Sequence, residues 1–500
     1  MFQRRWLLAP GARVAVMVAG LVLAVPASLA QPASSALAGR LGDGLITQVE
    51  ALAAQRPGTG PLSPAWAQQV VAAVLAHPDA LGVAAQAAAA QGATREAAAA
   101  LRPQLSGSGV AGRRETAPDT VLQTPPRSGN ELALGLTLRQ LVFDFGASTG
   151  SVAAAAAREA ALGSRLASRR SELALRAVNA WVDLERERQQ LRLAQDLAAT
   201  ALGLVDLVRE RERIGGGSRA DVVRAEARHA EALATIIAAR RRVLAAEAAF
   251  AEAFGAPAPA ATPLPPDADL PPGAARAVAE PGAWAGGMAS VAGVEAGVEP
   301  ALLAALVAGF PGLNEAELVV QAARRDYAVA VARERPSVGL EAAVTRRDLV
   351  GPGSPGTDGS VQLVVRHSFY SGGAGVARGQ QALARQTQAE EELAALRRRV
   401  ERAVVQTLAE VAQGDALVEA RRTAARAAAA SLRTVREQFA FNRGTLLDLL
   451  RAQEDVYGAG AGLLEAVSQR ANSRWQLLHL SGGLAAAVGL PAGGARSPAP

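Results

Sequence analysis

The sequence predicts a mainly α-helical fold with a β-barrel portion, internally duplicated. Three observations carry that reading. The stretch ELALGLTLRQLVFDFG, Glu131 to Gly146, alternates apolar and polar residues like a strand. Two very long Ala-, Arg- and Glu-rich runs have helical spacing and almost no glycine or proline. A set of matched residues recurs at a fixed distance along the 500-residue chain. Alternation at 180° per residue marks a strand and 3.6-type spacing marks a helix.

In chain order, Arg4, Arg5 and Arg13 precede the apolar run Val14 to Val25, and Ser28-Leu29-Ala30 fits a leader-peptidase site. That is the pattern of a secretory signal peptide, 1–30, and the apolar run is too short to span a bilayer. The first repeat, 31–255, then reads as a helix at about 62–100, a strand opened by Arg102-Pro103, a Pro/Ser/Gly loop near 114–130 and the alternating strand. A helix over 149–213 follows, roughly 100 Å long at 1.5 Å per residue. A glycine turn leads to a shorter return helix at 218–254. Residues 256–298 are rich in Ala, Pro and Gly and read as a linker or irregular belt. The second repeat, 299–489, has the same order: a helix at about 299–334, a strand opened by Arg335-Pro336, and a strand in which Val361, Leu363, Val365 and Phe369 alternate with polar residues. A helix at 376–441, a turn and a return helix at 445–481 follow, and 490–500 is a C-terminal tail expected to be disordered.

The duplication rests on two offsets. Arg102-Pro103 and His77-Pro78 fall on Arg335-Pro336 and Phe310-Pro311, 233 positions later. Gly146, Gly217, Gly255, Asp221 and Arg224 fall on Gly373, Gly444, Gly482, Asp448 and Arg451, 227 positions later. The change of six falls in the loops between the strands, where an insertion is tolerated.

Four strands cannot close a barrel in lipid, where an open edge leaves backbone groups unpaired at several kcal/mol each. Three copies would supply twelve. On that reading Leu132, Leu134, Leu136, Leu138, Val361, Leu363 and Val365 face lipid, while Glu131, Thr137 and Arg139 face a wet lumen. Gly146 and Gly373 permit the sharp change from strand to helix.

Composition excludes other classes. The chain has no cysteine, so it has no disulfide, thiolate metal site or lipid-modified amino-terminal cysteine. The four histidines, His77, His229, His367 and His479, form no His-Glu-x-x-His array, and Gly215 to Gly217 lack the Lys-Ser/Thr of a phosphate loop. An enzyme, a cofactor and a metal are not expected. The net charge of +6, all from arginine, reads as solvated helix faces rather than a nucleic-acid surface.

With these features in order, the chain resembles the TolC-like outer-membrane efflux proteins. The resemblance is carried by His77-Pro78, the Arg-Pro strand openings, VFDFGAS, FYSGGAG, the turns GSRADVVRAEA and GTLLDLLRAQE, and the Leu-rich end near LHLSGGL. It implies a homotrimer in the Gram-negative outer membrane: a twelve-stranded barrel continuous with a periplasmic α-helical tunnel. It also implies a periplasmic adaptor (membrane fusion) protein and an inner-membrane ABC-type or proton-driven exporter as partners. Gly217, Asp221, Arg224, Gly444, Asp448 and Arg451 would then form the periplasmic tip, with Gly217 and Gly444 stopping the long helices and Ser218 and Thr445 capping the return helices. Asp221 and Asp448 complement the helix dipole or line a gate. Asp221–Arg224 and Asp448–Arg451 are spaced as i,i+3 pairs, and a gate could also use Arg209, Arg213, Arg436 or Arg443. The missing lipidation cysteine favours type I protein secretion over drug or metal efflux. A periplasmic coiled-coil spacer without a channel is the competing class, and it has no use for strands with an apolar face.

Overall fold

The computed structural model describes residues 41–55, 64–116, 127–261, 265, 267–271, 274, 275, 278, 300–350 and 356–491. The expected signal peptide, most of the linker and the end of the tail lie outside the described residues.

Ten helices and four strands follow one another among the described residues. Helices α1 (Asp43–Ala54), α2 (Pro64–Ala76) and α3 (Pro78–Ala99) precede strands β1 (Gln104–Thr116) and β2 (Arg127–Phe143). The long α4 (Ala147–Arg213) and the return helix α5 (Arg219–Phe254) complete the first repeat. The second contains α6 (Pro300–Ala308), α7 (Pro311–Ala332), β3 (Ser337–Val350), β4 (Gly356–Arg366), α8 (Ala374–Ala440), α9 (Leu446–Leu480) and the short α10 (Leu484–Ala487). α4 and α8 both have 67 residues, so each extends about 100 Å.

The duplication reaches the backbone. Phe145 (φ 56°) and Asn442 (φ 58°) have left-handed conformations, and their counterparts 227 positions away are the left-handed glycines Gly372 and Gly215. A phenylalanine rarely adopts this conformation. Its ring here packs against that of Phe143, tilted by 60° with the centroids 4.7 Å apart.

Each expected opening helix is two helices. α2 and α3 meet at 53° and α6 and α7 at 74°, at His77-Pro78 and Phe310-Pro311. Each proline is the first residue of its helix, and the residue before it is extended. Proline restricts its predecessor to extended backbone and removes a donor, so the helix cannot run through it. β4 ends at Arg366, and Phe369, expected in the strand, sits almost fully exposed in the following turn. Among the described residues no single helix is long and apolar enough to cross a membrane.

Small residues let the long helices approach closely. Ala194, Ala198, Ala201, Val205 and Val208 of α4 are buried at alternating steps of four and three, the coiled-coil period. Midway along the bundle Trp66 meets Trp181 edge-on at 6.3 Å and Trp475 at 5.6 Å. Lower down, α1 packs against the long hairpins. Its Leu45, Ile46 and Val49 are buried with residues of α4, α8 and α9, and Gly460 of α9 leaves room for Val49. Arginines of α8 fasten it: Arg422 donates to the Gln55 carbonyl at 2.8 Å, Arg426 to that of Ala53 at 3.1 Å, and Arg433 and Arg436 pair with Glu50 and Asp43.

Trp475→Ala opens a cavity beside Trp66 at a fully buried position and is expected to cost about 3–5 kcal/mol. A lowered thermal midpoint of the helical circular-dichroism signal is the readout.

Candidate functional site

Two regions carry the residues singled out by sequence: the sheet with its helix junctions, and the hairpin tips.

The sheet is antiparallel in the order β1-β2-β3-β4, so β1 and β4 are its edges. Register fixes its faces, because partners directly opposite point the same way. Leu138 lies between Leu105 and Ala342, Leu136 between Gly107 and Val344, and Leu340 opposite Leu363. Leu132, Leu134, Leu136, Leu138, Val361, Leu363 and Val365 therefore share one apolar face, all of them exposed. The other face is polar: Thr137 and Arg139 of β2, Glu341 and Thr345 of β3, Gln362 and Arg366 of β4. There Glu341 is held between Arg139 (3.3 Å) and Arg366.

At the lower end of the sheet Gly146 and Gly373 are the N-caps of α4 and α8, with φ of 87° and 83°. The Asp144 carboxylate accepts from the backbone N–H groups of Gly146 and Ser148, satisfying the first turn of α4. Sequence reasoning missed the aromatics here. Phe143, Phe145, Phe369 and Tyr370 are all exposed beside the two junctions. Four of the chain's few aromatics crowded between strand and helix were the available signal.

At the far ends of α4 and α8 the stop is made two residues before the glycines expected to make it. The left-handed residues are Gly215 and Asn442, while Gly217 and Gly444 have no positive φ. Gly216 N–H reaches the Arg211 carbonyl and Arg443 N–H that of Gln438, both at 2.8 Å, which closes each helix in a Schellman turn. Gly217 and Gly444 are small for another reason: a Cβ would meet the nitrogens of Glu212 and Phe439 at 3.1 and 3.2 Å.

Ser218 and Thr445 cap the return helices. Asp221 N–H donates to Ser218 Oγ and Asp448 N–H to Thr445 Oγ1, both at 3.2 Å. Thr445 also donates to Asp448 from its hydroxyl (2.6 Å) and its N–H (3.4 Å), a capping box. Those bonds, with the nearby Arg451 charge, hold the Asp448 carboxyl below the usual carboxylate range. The two spaced pairs thus behave differently. Arg224 does pair with Asp221 at 3.2 Å, but Asp448 is turned onto Thr445 and no Asp448–Arg451 ion pair forms among the described residues. Of the other candidate arginines, Arg209 pairs with Glu226, Arg213 with Glu210 and Arg436 with Asp43 of α1. Arg443 is exposed.

Two contacts join the hairpins near the tip. Arg211 donates to the Phe439 carbonyl at 2.8 Å and lies 4.1 Å from that ring's centroid. Burial lowers its guanidinium from the usual value. Arg228 of α5 pairs with Glu454 of α9. Neither arginine was singled out, since sequence spacing carries no record of contacts between hairpins.

A four-stranded sheet with an apolar face, set on two helical hairpins about 100 Å long, defines an outer-membrane protein of duplicated helical-tunnel architecture. The family model described as outer membrane efflux protein matches residues 70–256 and 302–483, and the chain belongs to that family. It is 28% identical over 393 residues to the outer membrane efflux protein BepC of Brucella suis biovar 1, covering 78% of this chain and 79% of that one. The outer membrane protein VceC of Vibrio cholerae has the same fold, with a TM-score of 0.71, 18% identity and coverage of 84% of this chain and 96% of that one. So does the CmeC outer membrane channel of Campylobacter jejuni, with a TM-score of 0.71, 13% identity and coverage of 86% and 90%. The protein is therefore an outer-membrane efflux protein and not an enzyme.

Ser218→Ala and Thr445→Ala should each cost about 1 kcal/mol by removing a cap, measured by denaturant unfolding. Asp448→Asn should destabilise at neutral pH. A carboxylate depressed below its ordinary 3.8 stabilises the fold above that pH and loses the contribution as pH falls through the depressed value, so the difference from the parent should close in acid.

Proposed function

We propose that three copies of this chain close a twelve-stranded barrel in the outer membrane and continue below it as a tunnel that conducts exported cargo across the periplasm. The observation that carries this reading is the open sheet with an exposed apolar face. In lipid its edge strands β1 and β4 need partners, and copies of the same chain supply them. The leucine face then meets lipid, and the Arg139–Glu341–Arg366 face lines water. Phe143, Phe145, Phe369 and Tyr370 fall at the lower membrane boundary, where aromatic girdles belong. The spacer alternative leaves all of these without a role.

The tips of α4/α5 and α8/α9 form the periplasmic entrance, where an adaptor docks and passes cargo from an inner-membrane pump. Gly217, Asp221, Arg224, Gly444, Asp448 and Arg451 build that entrance. The caps at Asp221 and Asp448 make it rigid, and the Arg211–Phe439 contact holds the two hairpins together. As for cargo, the family and the relative BepC, both described as outer membrane efflux proteins, support an efflux role. The absence of cysteine, and so of a lipid anchor, supports the second reading, type I protein secretion with an ABC-type exporter.

The test is single-channel recording of protein purified from outer membranes. A steady pore is expected. Arg211→Ala, and separately the Asp448→Ala/Arg451→Ala double variant, should raise its conductance well above the parent's by loosening the tip. A chain that forms no pore in the bilayer contradicts the reading.

A further inference from the structure

Below the polar face of the sheet lie two adjoining cavities of about 700 and 660 Å³ that share Ser148, Ser151 and Arg333. The lower one is lined by α3, α4, α7 and α8 together. The polar and charged side chains of these four helices converge on it. The upper one includes Arg366 and Ser337, register partners on the sheet face of Arg139 and Glu341, opposite the leucines. Val365 of the leucine face stands only at the rim of the upper cavity, so both cavities open chiefly on what the channel reading makes the lumen.

Their charge is unbalanced. Six arginines line the pair against three acids, Asp144, Glu96 and Asp326. Asp144 is committed to the start of α4 and Asp326 to Arg158. Arg366 and Arg378 are neutralised by Glu341 and Glu334 from outside the lining. Arg333, Arg335 and Arg385 remain, exposed and with no ion pair among the described residues. Arg335 rests 5.6 Å from the centroid of the Phe145 ring. One open acid, Glu96, stands against these three. Arg333 and Arg335 also follow the C-terminus of α7, where a cation complements the helix dipole. That explains the charge at two of the three positions but not Arg385, which lies well inside α8.

We propose that this junction is an anion-selecting vestibule and that the cargo class of the channel is organic anions. The inference rests on the trimeric-channel reading. Threefold symmetry sets the three arginines around the axis as rings, the arrangement that favours anions in a pore. Guanidinium forks match carboxylate and phosphate oxygens, and Arg335 beside the Phe145 ring offers both charge and an aromatic surface. A volume of this size accommodates a small organic molecule.

The experiment uses the purified full-length protein in planar bilayers under a tenfold KCl gradient, with phthalate as the organic-anion probe. The reversal potential should report chloride favoured over potassium by about threefold or more at low salt. The preference should fade toward 1 M KCl as the screening length shrinks from about 30 Å at 0.01 M to about 3 Å. Phthalate should reduce the KCl current. Arg333→Gln/Arg335→Gln should lose both the preference and the block, and Arg333→Lys/Arg335→Lys should keep the preference. Cation preference in the parent, or equal phthalate effects in parent and Gln variant, overturns the proposal. The parent's salt dependence decides the selectivity even where a variant fails to assemble. Absence of any pore overturns the channel reading itself, and this inference with it.

Discussion

Everything in this molecule depends on where the backbone hydrogen bonds of β1 and β4 go. In water an unpaired edge is tolerable. In hydrocarbon each orphaned N–H or C=O costs several kcal/mol, and a strand 11 or 13 residues long has many. The apolar face of the sheet commits it to lipid, and lipid commits its edges to partners. The polar face commits the interior to water. A shared barrel is the arrangement that satisfies all three, and the helices below inherit its symmetry.

The helical part solves a different problem, that of distance. α4 and α8 each run unbroken for 67 residues, and shorter helices lie against them in relays: α3 then α5 along α4, α7 then α9 along α8. Alanine at the buried heptad positions lets these helices pack closely with few bulky side chains, which is why a chain with so few aromatics can build a structure of this length. Bulk is concentrated where relays meet, at Trp66, Trp181 and Trp475. α1 packs against both hairpins, on α4 as well as on α8 and α9, and the arginines of α8 fasten it, while the two repeats keep the same backbone at their tips.

Much of this was legible in the sequence because it is periodic or local. The strand alternation, the heptad-like runs and the offsets of 233 and 227 are patterns along the chain, and α3 with α7 and α4 with α8 reproduce those offsets residue for residue. Caps are local too, so Ser218 and Thr445 could be assigned from their neighbours. The helix stop is not legible because left-handed backbone passes from glycine at Gly215 to asparagine at Asn442, while the matching glycines at Gly217 and Gly444 sit two residues beyond it. The helix breaks at His77 and Phe310 fall inside otherwise helical spacing, and only the proline after each marks them physically. α1, the Arg211–Phe439 contact and the arginine-lined cavities were not legible, because each joins segments far apart in sequence with no shared period.

The central claim is that copies of this chain complete one another's sheet. Native mass spectrometry of the full-length protein, released from outer-membrane extracts in detergent, tests it most directly. The account predicts three chains of at most 51.0 kDa in one particle, each shortened alike by loss of a leader. A particle of one or two chains carrying the folded sheet would contradict it.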